Sequence, residues 1–379
     1  MKNIAIDVRC LMEENLTGVG EYTFNLLKYL LNIDSQNQYL LFFNKREPYL
    51  GHIKKLGKHN VTLCEFNYPN KLLNSSLKFF NRPYLDSLIQ SKHKKKIDLF
   101  FFPNINFLSI SPFCKYIATA HDLSFEIFPY FFSFKRRMWH NAVNSRKIFH
   151  KAKKIIAVSE NTKRDLINLF NANPNKIQVV YSGIDISRPE FADDKIKEKY
   201  NLPEKFILSL GTLEPRKNIE TLIEAFQKLK QDTDLPHKLV IAGSNGWKYK
   251  TIFDLVEKLN LKNEIIFTGF IDIEDKPHLY KFADLFVYPS YYEGFGFPPL
   301  EAMACKTPVI TSHTSSLTEV CANAAILIDP YNVNKLYWAI KEALTDENLQ
   351  ANLVGKGYVQ AQKFKWQDTA ENFLKIINE

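Results

Sequence analysis

The sequence has few cysteines, and none of them forms a recognisable site motif. Its 379 residues contain five cysteines, which are widely spaced and include no C-x-x-C pair. An odd number of scattered cysteines argues against a disulfide framework and is typical of buried thiols in a reducing cytosol. Neither H-E-x-x-H nor a cysteine–histidine cluster is present, so the sequence predicts no metal site.

Long apolar runs are also missing. At the N-terminus, Asp7 and Arg9 interrupt the apolar residues after three positions, which is too short for the apolar region of a secretory signal. The longest uncharged run, residues 99–114, contains prolines, asparagines and serines, so it does not make a membrane-spanning helix. We therefore expect a cytoplasmic protein that is not integral to a membrane.

What is present is a regular alternation of short apolar runs with helical stretches. The chain has no low-complexity tract, and at this length it can form two domains, each with its own core. Runs rich in Val, Ile, Leu and Phe are typical of strands buried on both faces of a parallel sheet. These runs are NIAIDV, YLLFFN, VTLCEF, IDLFFFP, YIATAHD, KIIAVSE, IQVVYSG, KFILSLGT, HKLVIAGS, EIIFTGF, DLFVYPS, TPVITS and AAILID.

The pattern predicts an α/β protein with two Rossmann-like domains in tandem. The first domain is expected over residues 1–185 and the second over residues 186–363, because the sequence becomes polar and helical after VVYSGID. An amphipathic helix over residues 364–379 is expected to end the chain and to pack back on the first domain.

The net charge of +9 is unevenly distributed. Residues 1–185 contain 27 Lys and Arg against 14 Asp and Glu, giving +13, whereas residues 186–379 contain 23 against 27, giving −4. The densest basic runs lie at 93–96, 134–137 and 146–154. Each could be a solvated surface, but three in one half favour an anionic partner, either acidic lipid head groups or a phosphorylated substrate. A nucleic acid is disfavoured, because no recognition module is present.

Most unusual polar or glycine-rich stretches follow a strand directly. They are TGVGE, HDLSFE, TLEPRKN, SNGW, YYEGFG and SHTSSLTE. Open parallel sheets bind ligands at the carboxyl ends of their strands. Two such sheets that face each other would form a cleft, and we expect the functional site there.

Two of these stretches suit a phosphate. Gly18 and Gly20 lead into a helix whose free N–H groups and positive end attract anions, although G-x-G alone is equally typical of a tight turn. Arg216 and Lys217 stand ahead of a helix with Asn218 as its expected N-cap. A guanidinium and an ammonium group together suit a diphosphate.

Two carboxylates, Glu293 and Glu301, flank the stretch GFGFPP. Gly294 and Gly296 permit a close approach of the backbone to a ligand, and the two prolines fit the first turn of a helix. A carboxylate can bind a ribose diol through two hydrogen bonds. The same two acids equally suit the general acid and base of a glycosidase, and their spacing in the sequence does not separate the alternatives.

Two further strand ends carry candidate groups. His121 precedes Asp122, a pair that could belong to a catalytic triad, but the sequence has no G-x-S-x-G elbow to supply the nucleophile. Gly269 and Phe270 could present backbone groups to a base, or they could form a plain turn.

Together these motifs resemble the retaining glycosyltransferases of family 4, which have the two-Rossmann GT-B fold with two domains facing each other across a cleft. The strongest part is the pair of glutamates separated by seven residues in EGFGFPPLE. The similarity extends to GTLEPRKN, AVSENTK, VVYSGID and TGVGEYTFNLL, and so covers almost the whole chain.

The resemblance implies a role for each motif. Glu301 would bind the ribose hydroxyls, Glu293 would lie beside the donor sugar, and Arg216 and Lys217 would bind the diphosphate. His121 resembles the family's active-site histidine near the transferred sugar. The implied catalytic residues are therefore His121, Glu293, Arg216 and Lys217. The other implied donor-binding residues are Gly18, Val19, Gly20, Gly211, Thr212, Gly269, Phe270, Gly294, Phe295, Gly296 and Phe297.

The resemblance also implies the reaction. It implies a hexosyltransferase that uses a nucleotide-sugar donor, retains the anomeric configuration and needs no metal or other cofactor, in keeping with the missing D-x-D motif. The motifs look most like a bacterial branch often assigned as mannosyltransferases that use GDP-mannose in O-antigen, lipopolysaccharide or other surface polysaccharide synthesis. The alternatives are another sugar (glucose, GlcNAc, rhamnose or fucose) carried by UDP, dTDP or GDP, and a sugar-nucleotide 2-epimerase.

The implied acceptor is a glycan or a lipid-linked glycan. A lipid-linked acceptor would suit the basic first half, through which we expect peripheral association with the inner face of the cytoplasmic membrane. The apolar stretch FFFPNINFLSISPF is expected to add exposed apolar surface to it.

Overall fold

The computed structural model describes residues 1–44, 50–185, 189–191 and 193–379, and the chain divides into two compact units. Unit 1 contains Met1–Glu126, Phe134–Gly183 and Lys365–Glu379, and unit 2 contains Ile127–Ser133 and Ile184–Phe364. The expected start of the second domain at residue 186 lies outside the described residues.

Unit 1 is built on a parallel sheet, which has seven strands in the described part of the chain. The strands are β1 (Asn3–Asp7), β2 (Gln38–Asn44), β3 (Val61–Phe66), β4 (Leu99–Phe102), β5 (Lys115–Ala120), β6 (Lys154–Ala157) and β7 (Ile177–Val179). Their order is β3-β2-β1-β4-β5-β6-β7. The order reverses at β1, which pairs with β2 on one side and with β4 on the other. Ligands bind at such a switch point, beyond the carboxyl ends of the two diverging strands.

Helices connect these strands. They are α1 (Gly18–Ile33), α2 (Gly51–Lys55), α3 (Asn70–Phe80), α4 (Leu85–His93), α5 (Ser124–Ile127), α6 (Phe134–Val143), α7 (Ser145–Lys151) and α8 (Glu160–Phe170). Because both faces of the sheet are covered, β4 consists of four buried residues, Leu99 to Phe102. The expectation of exposed apolar surface is therefore wrong for Phe100, Phe101 and Phe102, which lie in the middle of the sheet between β1 and β5.

Unit 2 repeats this plan with six strands among its described residues. They are β8 (Phe206–Leu210), β9 (Lys238–Ala242), β10 (Ile265–Gly269), β11 (Leu285–Tyr288), β12 (Val309–Ser312) and β13 (Ile326–Ile328), all parallel, in the order β10-β9-β8-β11-β12-β13. Here the order reverses at β8, so the switch point lies between β8 and β11, where Leu285 pairs with Ile207.

The helices of unit 2 follow the same alternation. They are α9 (Asp194–Tyr200), α10 (Ile219–Asp232), α11 (Lys250–Lys258), α12 (Lys276–Phe282), α13 (Phe297–Ala304), α14 (Leu317–Cys321), α15 (Val333–Thr345) and α16 (Glu347–Ala361). The last helix, α17 (Trp366–Asn378), belongs to unit 1. There Phe373 packs on Phe101 of β4 with ring centroids 4.5 Å apart, and Trp366 contacts Tyr22 of α1.

A short aromatic segment, Ile127–Ser133, leaves unit 1 and is part of unit 2. Its Phe131 carbonyl accepts a 2.6 Å hydrogen bond from the indole N–H of Trp247, and its Phe132 ring stacks on that indole at 5.6 Å. Phe131 also stacks on Tyr291 at 5.5 Å, and Phe128 lies 6.0 Å from Tyr292. The predicted first domain, residues 1–185, includes this segment, whereas its aromatic contacts attach it to unit 2.

The structure bears on two expectations from the composition, one about the cysteines and one about membrane-spanning helices. All five cysteines are free thiols, and four of them are buried. Among the described helices, none combines the length and the apolar character that crossing a bilayer requires.

Candidate active site

The sheet order of unit 2 brings two of the predicted loops together. Arg216 and Lys217 lie in a single 3-10 turn after β8, and Glu293 follows β11, the neighbouring strand. The loops are joined by a backbone hydrogen bond of 2.9 Å from the Tyr291 N–H to the Arg216 carbonyl. The predicted basic pair and the first predicted carboxylate therefore meet at the switch point of this sheet.

Glu293 is the centre of a buried ionic cluster. Its Oε2 lies 2.6 Å from Arg216 Nη1, and its Oε1 lies 2.7 Å from Lys217 Nζ and 3.0 Å from the Tyr288 hydroxyl. Lys217 also donates to the Tyr288 hydroxyl, and Arg216 Nη2 pairs with the buried Glu214 at 2.6 Å. Only 7% of Glu293 is exposed, so these contacts replace its hydration. Two carboxylates thus hold two cations in fixed positions.

The cluster sets the protonation state of Glu293. Burial alone would raise the pKa of this carboxyl, but the charges of Arg216 and Lys217 outweigh the burial and hold the pKa at about 2. Burial lowers the pKa of the Lys217 ammonium, against the opposing charge of Glu293. A general acid needs a proton at neutral pH, which an ionised Glu293 does not carry. The glycosidase-type acid role left open by the sequence is therefore disfavoured for Glu293.

Hydrogen bonds from two serines fix the glycine-rich loop after Glu293. The Glu293 N–H donates to Ser315 Oγ at 2.9 Å, and Ser316 Oγ lies 2.9 Å from the Glu293 carbonyl and 2.8 Å from the Phe295 carbonyl. Gly296 is the N-cap of α13 and has a φ of +105°, and a Cβ there would lie 2.8 Å from the Leu317 side chain. The loop conformation therefore requires glycine at this position.

Glu301 occupies a separate position on α13, whose first turn contains the two prolines as predicted. Its Oε2 accepts a 2.8 Å hydrogen bond from the Tyr280 hydroxyl of α12, and 9% of the residue is exposed. In the described residues no hydrogen bond or ion pair connects Glu301 to Glu293. The two acids have different partners, which is consistent with two different ligand groups.

Asn218 has a different role from the one predicted. It stands at the N-cap position of α10, but its side chain forms no capping hydrogen bond. Its amide instead donates to the carbonyls of Pro289 and Pro330, at 3.0 and 2.7 Å. Asn218 therefore ties the turn after β8 to the ends of β11 and β13 rather than capping its own helix.

Other predicted residues of unit 2 lie at the same ends of the strands. Gly211 follows β8 and lies beside the Lys217 side chain. A Cβ added at Gly211 would be 3.5 Å from Lys217 Cε. Thr212 is exposed. Gly269 ends the edge strand β10, where its carbonyl accepts from the Gly243 N–H, and Phe270 is partly exposed beyond it. Within the described contacts, neither Gly269 nor Phe270 touches the Glu293 cluster.

The predicted residues of unit 1 follow β5 and β1. The Nε2 of His121 lies 2.7 Å from the Pro103 carbonyl, and its ring meets Tyr22 edge-on at 4.8 Å. Because a carbonyl only accepts, Nε2 carries the proton, and burial lowers the pKa of the imidazole despite the Pro103 bond and the nearby Asp122. The Asp122 carboxylate accepts from the N–H and hydroxyl of Ser124, which disfavours a His–Asp triad arrangement.

The glycine motif of unit 1 forms the start of α1. Gly18 and Gly20 both lie in the first turn of this helix, with Val19 between them, rather than in a loop ahead of it. Gly18 has open space where a side chain would be, whereas Gly20 packs against Leu16. Thr17 precedes the helix, and its side chain makes no capping bond.

Four residues of the cluster were missed by the sequence analysis: Tyr288, Glu214, Ser315 and Ser316. Tyr288 ends an apolar strand and Glu214 precedes the basic pair, so neither has a sequence signal of its own. The two serines lie in SHTSSLTE, which was singled out as a polar stretch after a strand but given no role. Their position directly after β12, beside β11, was the available signal.

Comparison with known proteins shows the family of the chain. A model described as Glycosyltransferase Family 4 matches residues 16–188, and one described as Glycosyl transferases group 1 matches residues 191–360. The chain is 34% identical to the O-antigen chain mannosyltransferase B of Escherichia coli over 256 residues, covering 66% of this chain and 67% of that protein. It is 33% identical to the serotype-specific mannosyltransferase WbdA of Escherichia coli over 246 residues, covering 62% of this chain but only 30% of WbdA.

A solved structure supports the fold over the full length. The sucrose-phosphate synthase from Thermosynechococcus elongatus is similar with a TM-score of 0.74 and 21% identity, covering 100% of this chain and 98% of that chain. At this identity the similarity concerns the fold. The chain therefore belongs to glycosyltransferase family 4, and it is a hexosyltransferase with the GT-B fold, as the sequence predicted.

Proposed function

We propose that this protein is a retaining mannosyltransferase that transfers mannose from GDP-mannose to a glycan or lipid-linked glycan in O-antigen or related surface polysaccharide synthesis. The buried cluster of Arg216, Lys217 and Glu293 supports a diphosphate donor. The names of the Escherichia coli relatives, an O-antigen chain mannosyltransferase and a serotype-specific mannosyltransferase, support mannose and this process.

The cluster suits the departure of a nucleoside diphosphate. Negative charge grows on the leaving diphosphate as the sugar departs, and fixed cations stabilise that charge without having to reorganise. Arg216 and Lys217 are fixed by Glu293 and Glu214, and Lys217 Nζ uses two of its three donors on Tyr288 and Glu293. We further propose that these cations make a metal or other cofactor unnecessary, so that transfer should continue at full rate in excess EDTA.

The two glutamates would bind opposite parts of the donor. Glu301, which accepts from Tyr280 through one oxygen, would hold the ribose diol with its remaining acceptor capacity. The ionised Glu293 would accept hydrogen bonds from hydroxyls of the donor sugar. No covalent nucleophile is needed if the acceptor hydroxyl attacks on the face from which the diphosphate departs. For His121 and for Gly18 to Gly20 of unit 1, roles beside the donor stay predictions.

A thermal-shift panel of GDP-, UDP-, ADP- and dTDP-sugars tests the donor. GDP-mannose is expected to raise the melting temperature most, and ligand at 100 times its Kd adds about 2.7 kcal/mol of stability. A larger shift with a UDP- or dTDP-sugar would reject the proposed donor. Donor isomerisation without any acceptor would instead show a 2-epimerase.

The stereochemistry is tested on the product. After transfer from GDP-mannose, the one-bond carbon–hydrogen coupling at the new anomeric centre should report the α configuration of the donor. A β product would reject retention while leaving the donor assignment intact.

We also propose peripheral membrane association, through α3 of unit 1. This helix buries Leu73 and Leu77 but exposes Leu72, Phe79 and Phe80, beside the exposed cations Lys71 and Lys78. Apolar side chains flanked by lysines suit an anionic membrane surface.

Vesicle co-sedimentation tests this association. The protein should bind phosphatidylglycerol vesicles more than phosphatidylcholine vesicles, and the double variant Phe79→Ser, Phe80→Ser should lose most of the binding. Phe191→Ser in unit 2 removes an equally exposed phenylalanine and is the matched control. Equal binding by the double variant and the control would reject α3 as the contact.

A further inference from the structure

Four aromatic residues of unit 2 form a row that the proposed donor contacts do not use. The ring centroids of Tyr130 and Phe131 are 4.7 Å apart, those of Phe131 and Tyr291 are 5.5 Å apart, and those of Tyr291 and Tyr331 are 4.8 Å apart. These residues come from three places in the chain, namely the segment Ile127–Ser133, the loop after β11 and the loop after β13. We call the four residues the tyrosine row.

The two ends of the tyrosine row are open to solvent. Tyr130 is 59% exposed and Tyr331 is 66% exposed, whereas Tyr291 between them is partly buried. Large rings that are exposed next to one another mark an interaction site more often than single exposed apolar residues do. A tyrosine ring also has few torsions to fix, so a ligand that packs on it costs little conformational entropy.

Hydrogen bonds hold the segment that supplies Tyr130 and Phe131. The Trp247 indole N–H donates to the Phe131 carbonyl at 2.6 Å, and Lys248 Nζ donates to the Tyr130 carbonyl at 2.7 Å. The rings are therefore preorganised, which lowers the entropic cost of binding.

A cavity adjoins the row at Tyr331. Its volume is about 460 Å³, within the roughly 300–1,000 Å³ of small-molecule sites. The lining includes Glu224, Gln227, Lys228, Tyr331 and Asn332. None of these residues is among the proposed donor-binding residues, and in the described contacts none of their side chains reaches the Glu293 cluster.

The polar groups of the cavity suit a neutral ligand with hydroxyls. Glu224 and Lys228 lie four residues apart on α10, and their formal charges cancel, so the lining has no net charge. Asn332 Oδ1 accepts a 3.0 Å hydrogen bond from the first turn of α15, and the amides of Asn332 and Gln227 supply N–H donors. An anionic ligand would find no uncompensated cation here.

The rings and the cavity together match a sugar chain. The C–H bonds of a pyranose carry partial positive charge and pack on the negative face of an aromatic ring. We infer that the tyrosine row and the adjoining cavity bind two or more consecutive sugars of a neutral glycan, at a position separate from the donor cluster. The inference rests on the proposed function, in which a polysaccharide is extended. A glycan held there would stay bound between transfers, so long acceptors should have a lower KM than short ones.

The test compares three probes by ligand-observed NMR titration of the full-length protein without nucleotide. They are α-mannotetraose, methyl α-D-mannopyranoside and the anionic tetragalacturonate. The neutral tetrasaccharide is expected to bind about ten-fold more tightly than either of the others.

Substitutions in the row test the stacking. Tyr331→Ala and Tyr130→Ala should each weaken binding of the tetrasaccharide by about ten-fold, whereas Tyr331→Phe keeps the ring and should retain most of it. Tyr358→Ala on α16 removes a 40% exposed tyrosine outside the row and is the matched control. Melting temperatures show that each variant is folded. In transfer assays Tyr331→Ala should raise the KM of the tetrasaccharide to that of the monosaccharide and leave kcat unchanged.

The outcomes separate this inference from the proposed donor, because failure of GDP-mannose in the thermal-shift panel does not affect a titration without nucleotide. No saturable binding of the tetrasaccharide, equal binding of tetragalacturonate, or unchanged binding by both alanine variants would each overturn the inference. An equal rise in KM for long and short acceptors would also overturn it. A dimer in sedimentation velocity that Tyr331→Ala dissociates would show instead that a second copy of the chain covers the row.

Discussion

Removing the charge of Glu293 should destabilise unit 2 and at the same time strengthen its response to a nucleoside diphosphate. Glu293→Gln keeps the size of the side chain but leaves Arg216 and Lys217 with one carboxylate, Glu214, in place of two. The cost follows from the pKa, because the difference between 4.5 and about 2 corresponds to ~3 kcal/mol. Breaking buried ion pairs in other proteins costs about 3–5 kcal/mol, which agrees.

The expected change in melting temperature follows from the size of the unit. One kcal/mol shifts the midpoint of a 150–250-residue domain by about 2–4 °C, so Glu293→Gln should melt roughly 6–12 °C below the unsubstituted protein. Glu224→Gln, the same substitution at an exposed position of α10, should change the midpoint by about 1–2 °C at most, because exposed substitutions alter stability by about 0.5 kcal/mol.

The response to GDP tests the function of the cations. With one carboxylate fewer, Arg216 and Lys217 attract a diphosphate more strongly, so saturating GDP should raise the midpoint of Glu293→Gln by more than it raises that of the unsubstituted protein. Transfer should nevertheless be lost, because the contact that we propose between Glu293 and the donor sugar is gone. A midpoint within 2 °C of the parent, or a smaller response to GDP, would refute this reasoning about the cluster.

Three further predictions concern Glu301, Asn218 and His121. Glu301→Gln should weaken GDP binding by about 1.5–3 kcal/mol, which is the range for hydrogen bonds to charged groups. In isothermal titration the variant should also lose the preference for GDP over 2′-deoxy-GDP. An unchanged preference would show that Glu301 does not bind the ribose. Asn218→Ala leaves the carbonyls of Pro289 and Pro330 without their donor, so the unfolding midpoint should fall by more than it does for Asn334→Ala at an exposed position. Burial lowers the pKa of His121, so below pH 6.5 the unfolded chain binds a proton at this residue that the folded chain does not bind. The free energy of unfolding should therefore fall between pH 7 and pH 5 by more in the unsubstituted protein than in His121→Asn. Equal losses in the two proteins would contradict the lowered pKa of His121.

The strands were predictable because a strand buried on both faces is a nearly continuous apolar run. Each of the thirteen runs chosen from the sequence contains a strand among the described residues. The end of the apolar stretch at residues 100–113 shows the limit of this reasoning. Its first three phenylalanines are fully buried in β4, whereas Phe113 is 97% exposed, and hydrophobicity alone does not distinguish the two environments.

The site was predictable as a set of strand ends but not as a set of contacts. Arg216 and Glu293 are 77 positions apart, and they meet only because β8 pairs with β11 on one side, in addition to β9, its neighbour in sequence, on the other. The ionised state of Glu293 depends on that meeting, so the sequence left both the acid role and the binding role open. Asn218 was misread for the same reason, since its partners Pro289 and Pro330 belong to other loops.

The division of the chain has a consequence for any attempt to produce the units separately. The backbone passes from one unit to the other after Glu126, Ser133, Gly183 and Phe364. A single cut after Gly183 would therefore give two incomplete fragments: the first would lack the α17 covering of β4, and the second would expose Trp247 where Phe132 had stacked. Both fragments should aggregate when expressed alone and regain solubility when co-expressed, as in fragment complementation.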